Sequence, residues 1–344
     1  MTKRTPLILI IISILIFHGN AFCGKKITVL EEIQKPERFV FGNGYLYILE
    51  GTTIHIYGDK DFKYVGKFGK AGEGPKEIKK NPFGGPITIQ PYKGKVYVSS
   101  MGKVSVFSKE GKYIKETRID QFDIFIPFGK AFVGISNVPM KEDQSKRVLA
   151  VFNADQNFKK GDILYVSDFE VGQNFKWKFP INAFYPVPYD DKLFIIAGKH
   201  GFAIDIFDTK GNKINRIFKK MKTPKVPDEY KKKTIQWFKT SPNYKNFWNF
   251  MKTRVGFKSH FPPIYAMFVG TNSLFVLTSV TKGDQRECIV MDYNGNEKRR
   301  MMLFAPEIYG MDYNFFANVH ENYYYWIIEN DDDETWELYK EKIE

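Results

Sequence analysis

Along most of the chain apolar and polar residues alternate with a period of two, and β-branched and aromatic side chains fill the apolar slots. Such alternation predicts half-buried strands, whose successive side chains point to opposite faces. One short pattern keeps returning. Thr53-Ile54-His55-Ile56-Tyr57 leads into Gly58-Asp59-Lys60-Asp61, and Lys103-Val104-Ser105-Val106-Phe107 leads into Ser108-Lys109-Glu110-Gly111. Val148 to Phe152, Ala203 to Phe207 and Glu287 to Met291 repeat it, each followed by Asp, Asn or Gly. A strand that closes on a large apolar residue and meets such a cluster predicts a hairpin, because the turn needs positive φ or a side chain that bonds the main chain.

A second strand precedes each copy: Leu46 to Leu49, Val96 to Val98, Phe132 to Ile135, Leu193 to Ile196 and Leu274 to Leu277. A sixth copy reads Tyr323 to Ile327, then Trp336 to Tyr339. The closing residues Tyr57, Phe107, Phe152, Phe207, Met291 and Tyr339 lie 50, 45, 55, 84 and 48 positions apart. Four intervals match one four-stranded sheet each, which predicts a ring of six similar sheets, a β-propeller. The long interval holds the one helix-like stretch, 224–258. Pro227-Asp228-Glu229 reads as a helix start, Tyr230, Thr234, Trp237 and Phe238 share a face, Ser241-Pro242 breaks it, and a second short helix holds Phe247, Trp248, Phe250 and Met251. The chain from 24 to 344 is therefore expected to be one all-β domain, a six-bladed β-propeller with a helical insertion between blades 4 and 5. Too few residues follow Tyr339 for an outer strand, so a segment at 27–33 is expected to close the ring from the N-terminal side.

The first residues carry a different pattern. Lys3 and Arg4 precede an eleven-residue apolar run, Leu7 to Phe17, and Gly19, Ala21 and Cys23 follow at alternate positions. This predicts a signal peptide over 1–23 and an exported, periplasmic or cell-surface protein. Anchoring through a lipidated Cys23 is the alternative, although Phe22 stands where a small residue is needed. Cys288 is then the lone cysteine of the mature chain, so the core must hold the domain without a disulfide. The net charge is +13. Export and the spread of lysines through turns (Lys60, Lys70, Lys109, Lys159, Lys210, Lys219) argue against nucleic acid. They leave a solvated surface, or attraction to an anionic glycan or a membrane surface.

Phe68-Gly69-Lys70-Ala71-Gly72-Glu73-Gly74-Pro75-Lys76-Glu77 is similar to the inter-blade signature of NHL-repeat proteins, F-G-x-x-G-x-G-P-G-x-F. Over about 27–344 the chain resembles exported bacterial NHL-like six-bladed propellers, with Lys76 in place of a glycine and Ile78 in place of the final Phe. The resemblance implies a site at the channel mouth, on the loops that join blades. Candidates there are Arg38, Ile126-Pro127, Tyr185-Pro186, His260 to Pro263 and Phe315. The insertion is expected to fold over one face as a lid. Its Trp237, Phe238, Trp248, Arg254 and Lys258 mix rings and cations suited to sugars or acidic groups; alternatively, these rings simply pack it onto the ring. The candidate ligand-binding set is Arg38, Tyr185, Trp237, Trp248, Arg254, Lys258 and His260, with no catalytic residue assigned.

Some related propellers resemble lactonases or zinc lyases, so a metal is weighed. His55, His200, His260 and His320 fall in four blades without HxH or HxxxH spacing, His55 mid-strand and His200 in a loop. No cofactor is predicted, and a divalent metal in the channel stays open as the alternative. Asp331 to Glu334 reads either as a calcium loop or as a solvated turn. The leading expectation is a monomeric, non-catalytic binding or scaffold propeller with a protein or glycan partner outside the cytoplasm, free to associate peripherally with a membrane. The alternative is a lactonase-like hydrolase or lyase acting on a small ester, lactone or glycan. A third is a sensor or adhesion domain.

Overall fold

The computed structural model describes residues 24–80, 87–119, 124–139, 144–153, 159–172, 176–182, 186–242, 244–311 and 317–343. The 1–23 segment, Tyr185 and Phe315 lie outside these. An opening strand, β1 (Lys25–Val29), precedes the first blade, which is β2 (Arg38–Gly42), β3 (Tyr45–Glu50), β4 (Thr53–Gly58) and β5 (Tyr64–Phe68). Blade two is β6 (Thr88–Tyr92), β7 (Lys95–Ser100), β8 (Lys103–Ser108) and β9 (Tyr113–Arg118). Blade three is β10 (Ile124–Phe128), β11 (Ala131–Pro139), β12 (Gln144–Asn153) and β13 (Lys159–Gly172); a short β14 (Trp177–Phe179) follows. Blade four is β15 (Pro186–Tyr189), β16 (Lys192–Ile196), β17 (Phe202–Asp208) and β18 (Lys213–Lys219). The insertion carries α1 (Asp228–Thr240), α2 (Trp248–Met251) and β19 (Val255–Phe257). Blade five is β20 (Ile264–Val269), β21 (Leu274–Lys282), β22 (Gln285–Met291) and β23 (Glu297–Phe304), and β24 (Ala317–His320), β25 (Tyr323–Asn330) and β26 (Thr335–Lys342) begin the sixth.

Six four-stranded antiparallel sheets result, and their innermost strands contact one another in cyclic order. The chain is a six-bladed β-propeller. The sixth sheet runs β24-β25-β26-β1, so the N-terminal strand closes the ring as expected, starting two residues earlier and ending sooner than 27–33. Each junction between blades holds a cluster of buried apolar side chains. Past β1, Leu30 and Ile33 enter the cluster between blades six and one.

The recurring closing residues occupy one register. Tyr57 opposes Leu46, Phe107 opposes Val96, Phe152 opposes Phe132, Phe207 opposes Leu193 and Met291 opposes Leu274. In blade six that place belongs to Glu341, opposite Tyr324; Tyr339 lies two residues earlier on the same face. The pairing with the outermost strand slips just before each of the five, as at Ile56/Tyr57 and Val290/Met291. Such bulges raise the twist, which a blade needs to fan out from a ring. Blade three is the irregular one: β13 is 14 residues long and its pairing with β12 slips three times.

The turns after these strands share a second device. Asp208 Oδ1 accepts the N–H groups of Lys210 and Asn212, both at 2.9 Å, and Asp292 Oδ1 does the same for Asn294 and Asn296. Ser108 Oγ plays this part in blade two. The glycine of each turn, Gly111, Gly211 or Gly295, sits at φ near +85° (83°, 85° and 86°). Each also meets the preceding blade. A Cβ on Gly295 would come 2.7 Å from Ile217, one on Gly111 2.6 Å from Phe68, and one on Gly211 3.3 Å from Leu164. These glycines therefore serve both φ and the close approach of neighbouring blades.

Candidate functional site

The inner strands enclose a cavity of about 1230 Å³ that touches all six of them. At one end it is rimmed by the first hairpin turns of the blades, including Lys93, Asp190, Thr271 and His320. At the other it opens among the inter-blade connections, where Arg38, Asn182, Tyr230, Phe261 and Glu307 line it. Apolar side chains, among them Val40, Ile89, Met267 and Val319, form much of the wall between.

Blade two supplies a different wall. Thr88 and Ser100 line the cavity and are 4% and 5% exposed, yet neither hydroxyl has a hydrogen-bond partner among the described residues. Ser99, opposite Thr88 in the sheet, accepts the Phe125 N–H at 3.2 Å. A buried hydroxyl without a partner costs about 1–3 kcal/mol. Two of them beside the same cavity, on opposite faces of blade two, mark places where a polar group is wanted.

The connection mouth also carries a buried cation. Arg286 is fully buried, its guanidinium lies 3.7 Å from the Tyr265 ring centroid, and Nη2 stands 3.1 Å from the Glu307 carboxylate. This holds Glu307 at the cavity edge. Burial, and next the Glu307 charge, push the Tyr230 phenol well above its ordinary pKa, so it stays protonated and can donate. At the opposite rim His320 stacks on Phe41 at 4.5 Å, with Nε2 3.6 Å from Asp59.

Of the residues expected at the mouth, Arg38, Ile126, Pro186, Phe261 and Pro262 line the cavity. Lys258 reaches it indirectly, donating from Nζ to Asn182 Oδ1 at 2.7 Å. His260 is exposed, with Nδ1 3.0 Å from Ser259 Oγ, and is not among the lining residues. Trp237 and Trp248 pack around Phe179, Phe238 and Met251 in the insertion's own apolar cluster. Trp237 also backs Gly310, whose added Cβ would stand 2.2 Å from its ring. Arg254 lies 4.0 Å over the Phe250 ring. The packing alternative thus describes both tryptophans, while Arg38 and Lys258 belong to the mouth. Tyr185 lies outside the described residues.

The insertion is tied to more of the ring than expected. β14, from the connection between blades three and four, pairs in parallel with β19. Tyr309 and Met311, from the connection between blades five and six, join the same apolar cluster. Three successive connections thereby share one small core over the channel mouth.

The histidines stay dispersed. His55 is buried in blade one, His200 is exposed on a short 3-10 turn, and His260 and His320 belong to separate blade ends. Among the described residues no group of three or more His, Cys, Asp or Glu could hold a metal ion. Asp331 to Glu334 form the exposed hairpin turn between β25 and β26. Cys288 is fully buried, and burial pushes its thiol up to about 12.

The wall formed by Thr88 and Ser100 was not singled out from the sequence. A signal exists once the blades are aligned by register. Leu49, Ile135, Ile196, Leu277 and Ile327 occupy the place that Ser99 holds in blade two. Ser99, next to Ser100 in the chain and opposite Thr88 in the sheet, is thus the one polar residue among five aliphatic ones and points to blade two.

No family model matches the chain, and no curated protein matches it. Among solved structures it is similar to Kluyveromyces lactis Hsv2, at 10% identity and a TM-score of 0.40, over 90% of this chain and 99% of that one. It is also similar to the Neurospora crassa Pan2 WD40 domain, at 8% identity and a TM-score of 0.43, over 93% of this chain and 97% of that one. The six-bladed assignment itself stands on the chain's own sheets and their cyclic order.

Proposed function

We propose that this chain is an exported, non-catalytic binding propeller that holds a small, neutral, hydroxyl-bearing ligand in its central channel. The observation that carries the reading is the pair of buried, unpartnered hydroxyls of Thr88 and Ser100 on the wall of a 1230 Å³ cavity. Ligand pockets are mostly apolar with a few placed polar groups, in volumes of about 300–1,000 Å³. The channel has that make-up, with Gln90 and Asn318 among its other polar lining residues. A ligand of one or two sugar-like rings would occupy part of it, stacking on the apolar wall and exchanging hydrogen bonds with blade two.

Kinship with NHL-like propellers is supported by the link at 68–77. Phe68 ends β5 and packs in the cluster between blades one and two, and Ile78 is fully buried there. Gly69 and Gly72 take positive φ, and Lys76, where the signature has glycine, also takes φ +69°. Export rests on the pattern of residues 1–23, with cleavage after Ala21 or Cys23.

The test is a calorimetric screen of neutral mono- and disaccharides against the mature protein, repeated with Thr88→Val and Ser100→Ala. Each lost hydrogen bond should weaken binding by about threefold to tenfold. Binding that ignores both substitutions would move the site elsewhere. Mass spectrometry of the secreted protein tests the processing.

A further inference from the structure

We infer that the tip of the insertion is a docking surface for an anionic lipid bilayer, independently of whatever the channel holds. Residues 245–251 form one helical stretch, a 3-10 turn at Lys245–Phe247 running into α2. Helical spacing splits its rings into two sets. Met251 is buried and Trp248 half-buried in the insertion's cluster, while Phe247 and Phe250 are 53% and 54% exposed. Phenylalanines this exposed, side by side on one short segment, mark an interaction site rather than ordinary surface.

Charge identifies the occupant. Residues 220–263 hold eleven lysines and arginines against two acidic residues, a net +9 out of the +13 of the whole chain. No Asp or Glu occurs from Tyr230 to Gly283. The two acids, Asp228 and Glu229, pair with Lys231 and Lys233 at the far end of α1. Around the exposed rings stand the exposed Lys239, Lys245 and Lys252, and Arg254 lies over Phe250. A soluble polyanion would use the cations and leave the rings in water. The interface of an anionic bilayer takes both, with rings at the boundary between headgroups and acyl chains and cations at the phosphates.

The experiment is flotation of the full mature protein with vesicles of phosphatidylcholine alone, and of phosphatidylcholine mixed with phosphatidylglycerol. Flotation with the mixed vesicles only is expected. Phe247→Ser with Phe250→Ser should lower the partition coefficient about tenfold or more while leaving thermal unfolding unchanged, since neither ring is in the core. Each of Lys239→Gln, Lys245→Gln and Lys252→Gln should lower it about fivefold at low salt. Equal flotation with both vesicle types, or with neither, overturns the inference. So does undiminished flotation of the double serine variant, which would mark adsorption by charge alone. Capture by a soluble sulfated polysaccharide with no lipid binding would assign the surface to a polyanion instead.

Discussion

Gly295 and Gly211 occupy the same turn in successive blades, yet their surroundings differ. Both need positive φ, but a Cβ on Gly295 meets Ile217 at 2.7 Å, whereas one on Gly211 meets Leu164 at 3.3 Å. Gly211→Ala should therefore cost about 1–2 kcal/mol, from the backbone, and Gly295→Ala more, because a neighbouring blade must give way. Urea unfolding of both variants checks the order. His55 provides the pH dependence at this scale. Burial lowers its pKa below 6.5, and the nearby Glu50 only partly opposes this. The unfolded chain then binds a proton that the folded one resists. Stability is therefore full above pH 6.5 and falls as the pH drops below it. His55→Phe should flatten that slope between pH 7 and 5 in urea titrations. Asp208 and Asp292 act in another window. Their pKa values are lowered, chiefly by Asn212 and Asn296, so their contribution is present above pH 3.8 and fades as the pH falls further.

At the scale of elements, two ties decide how the ring holds. Leu30, just past β1, is 1% exposed between blades six and one, and its N–H donates to the Trp336 carbonyl at 2.7 Å. Leu30→Ala should cost about 2–5 kcal/mol, and deletion of 24–33 more, since it also bares the edge of β26. Unchanged stability in the deletion would contradict closure by β1. The second tie is Phe238, fully buried among Phe179, Trp237 and Trp248. Phe238→Ala should cost about 3–5 kcal/mol locally and expose 224–258 to protease before the blades unfold. The strands themselves were legible in the chain, because alternation and turn chemistry act over five to ten residues. The parallel pairing of β14 with β19 was not. Its partners lie almost eighty positions apart, each is three residues long, and no local pattern links them. The blade-six anchor slipped for a related reason. Tyr339 and Glu341 share a face, and only pairing with Tyr324 tells them apart.

For the whole molecule, the closing-residue intervals and the single long gap were enough to place six blades and one insertion. The candidate site was less readable. Arg38 could be placed from its position at the start of an inner strand, whereas Thr88 and Ser100 acquire meaning only when six sheets face one channel. The positive charge is less even than the scatter of lysines through turns suggests: 220–263, an eighth of the chain, carries +9 of the net +13 because only two acidic residues fall there. An electrostatic face of this kind should make association with any anionic surface fall steeply with added salt, which a salt series in the flotation assay would record.

Closure by β1 also sets a timetable. β1 pairs with β26 across more than 300 residues, so the sixth sheet cannot form until the last strand has been made. A released chain ending just before Thr335 would hold five paired sheets and two unpaired edges, β1 and β25. Such a truncated chain should be held by a chaperone and found by a protease, whereas a chain that carries β26 through Lys342 should escape both.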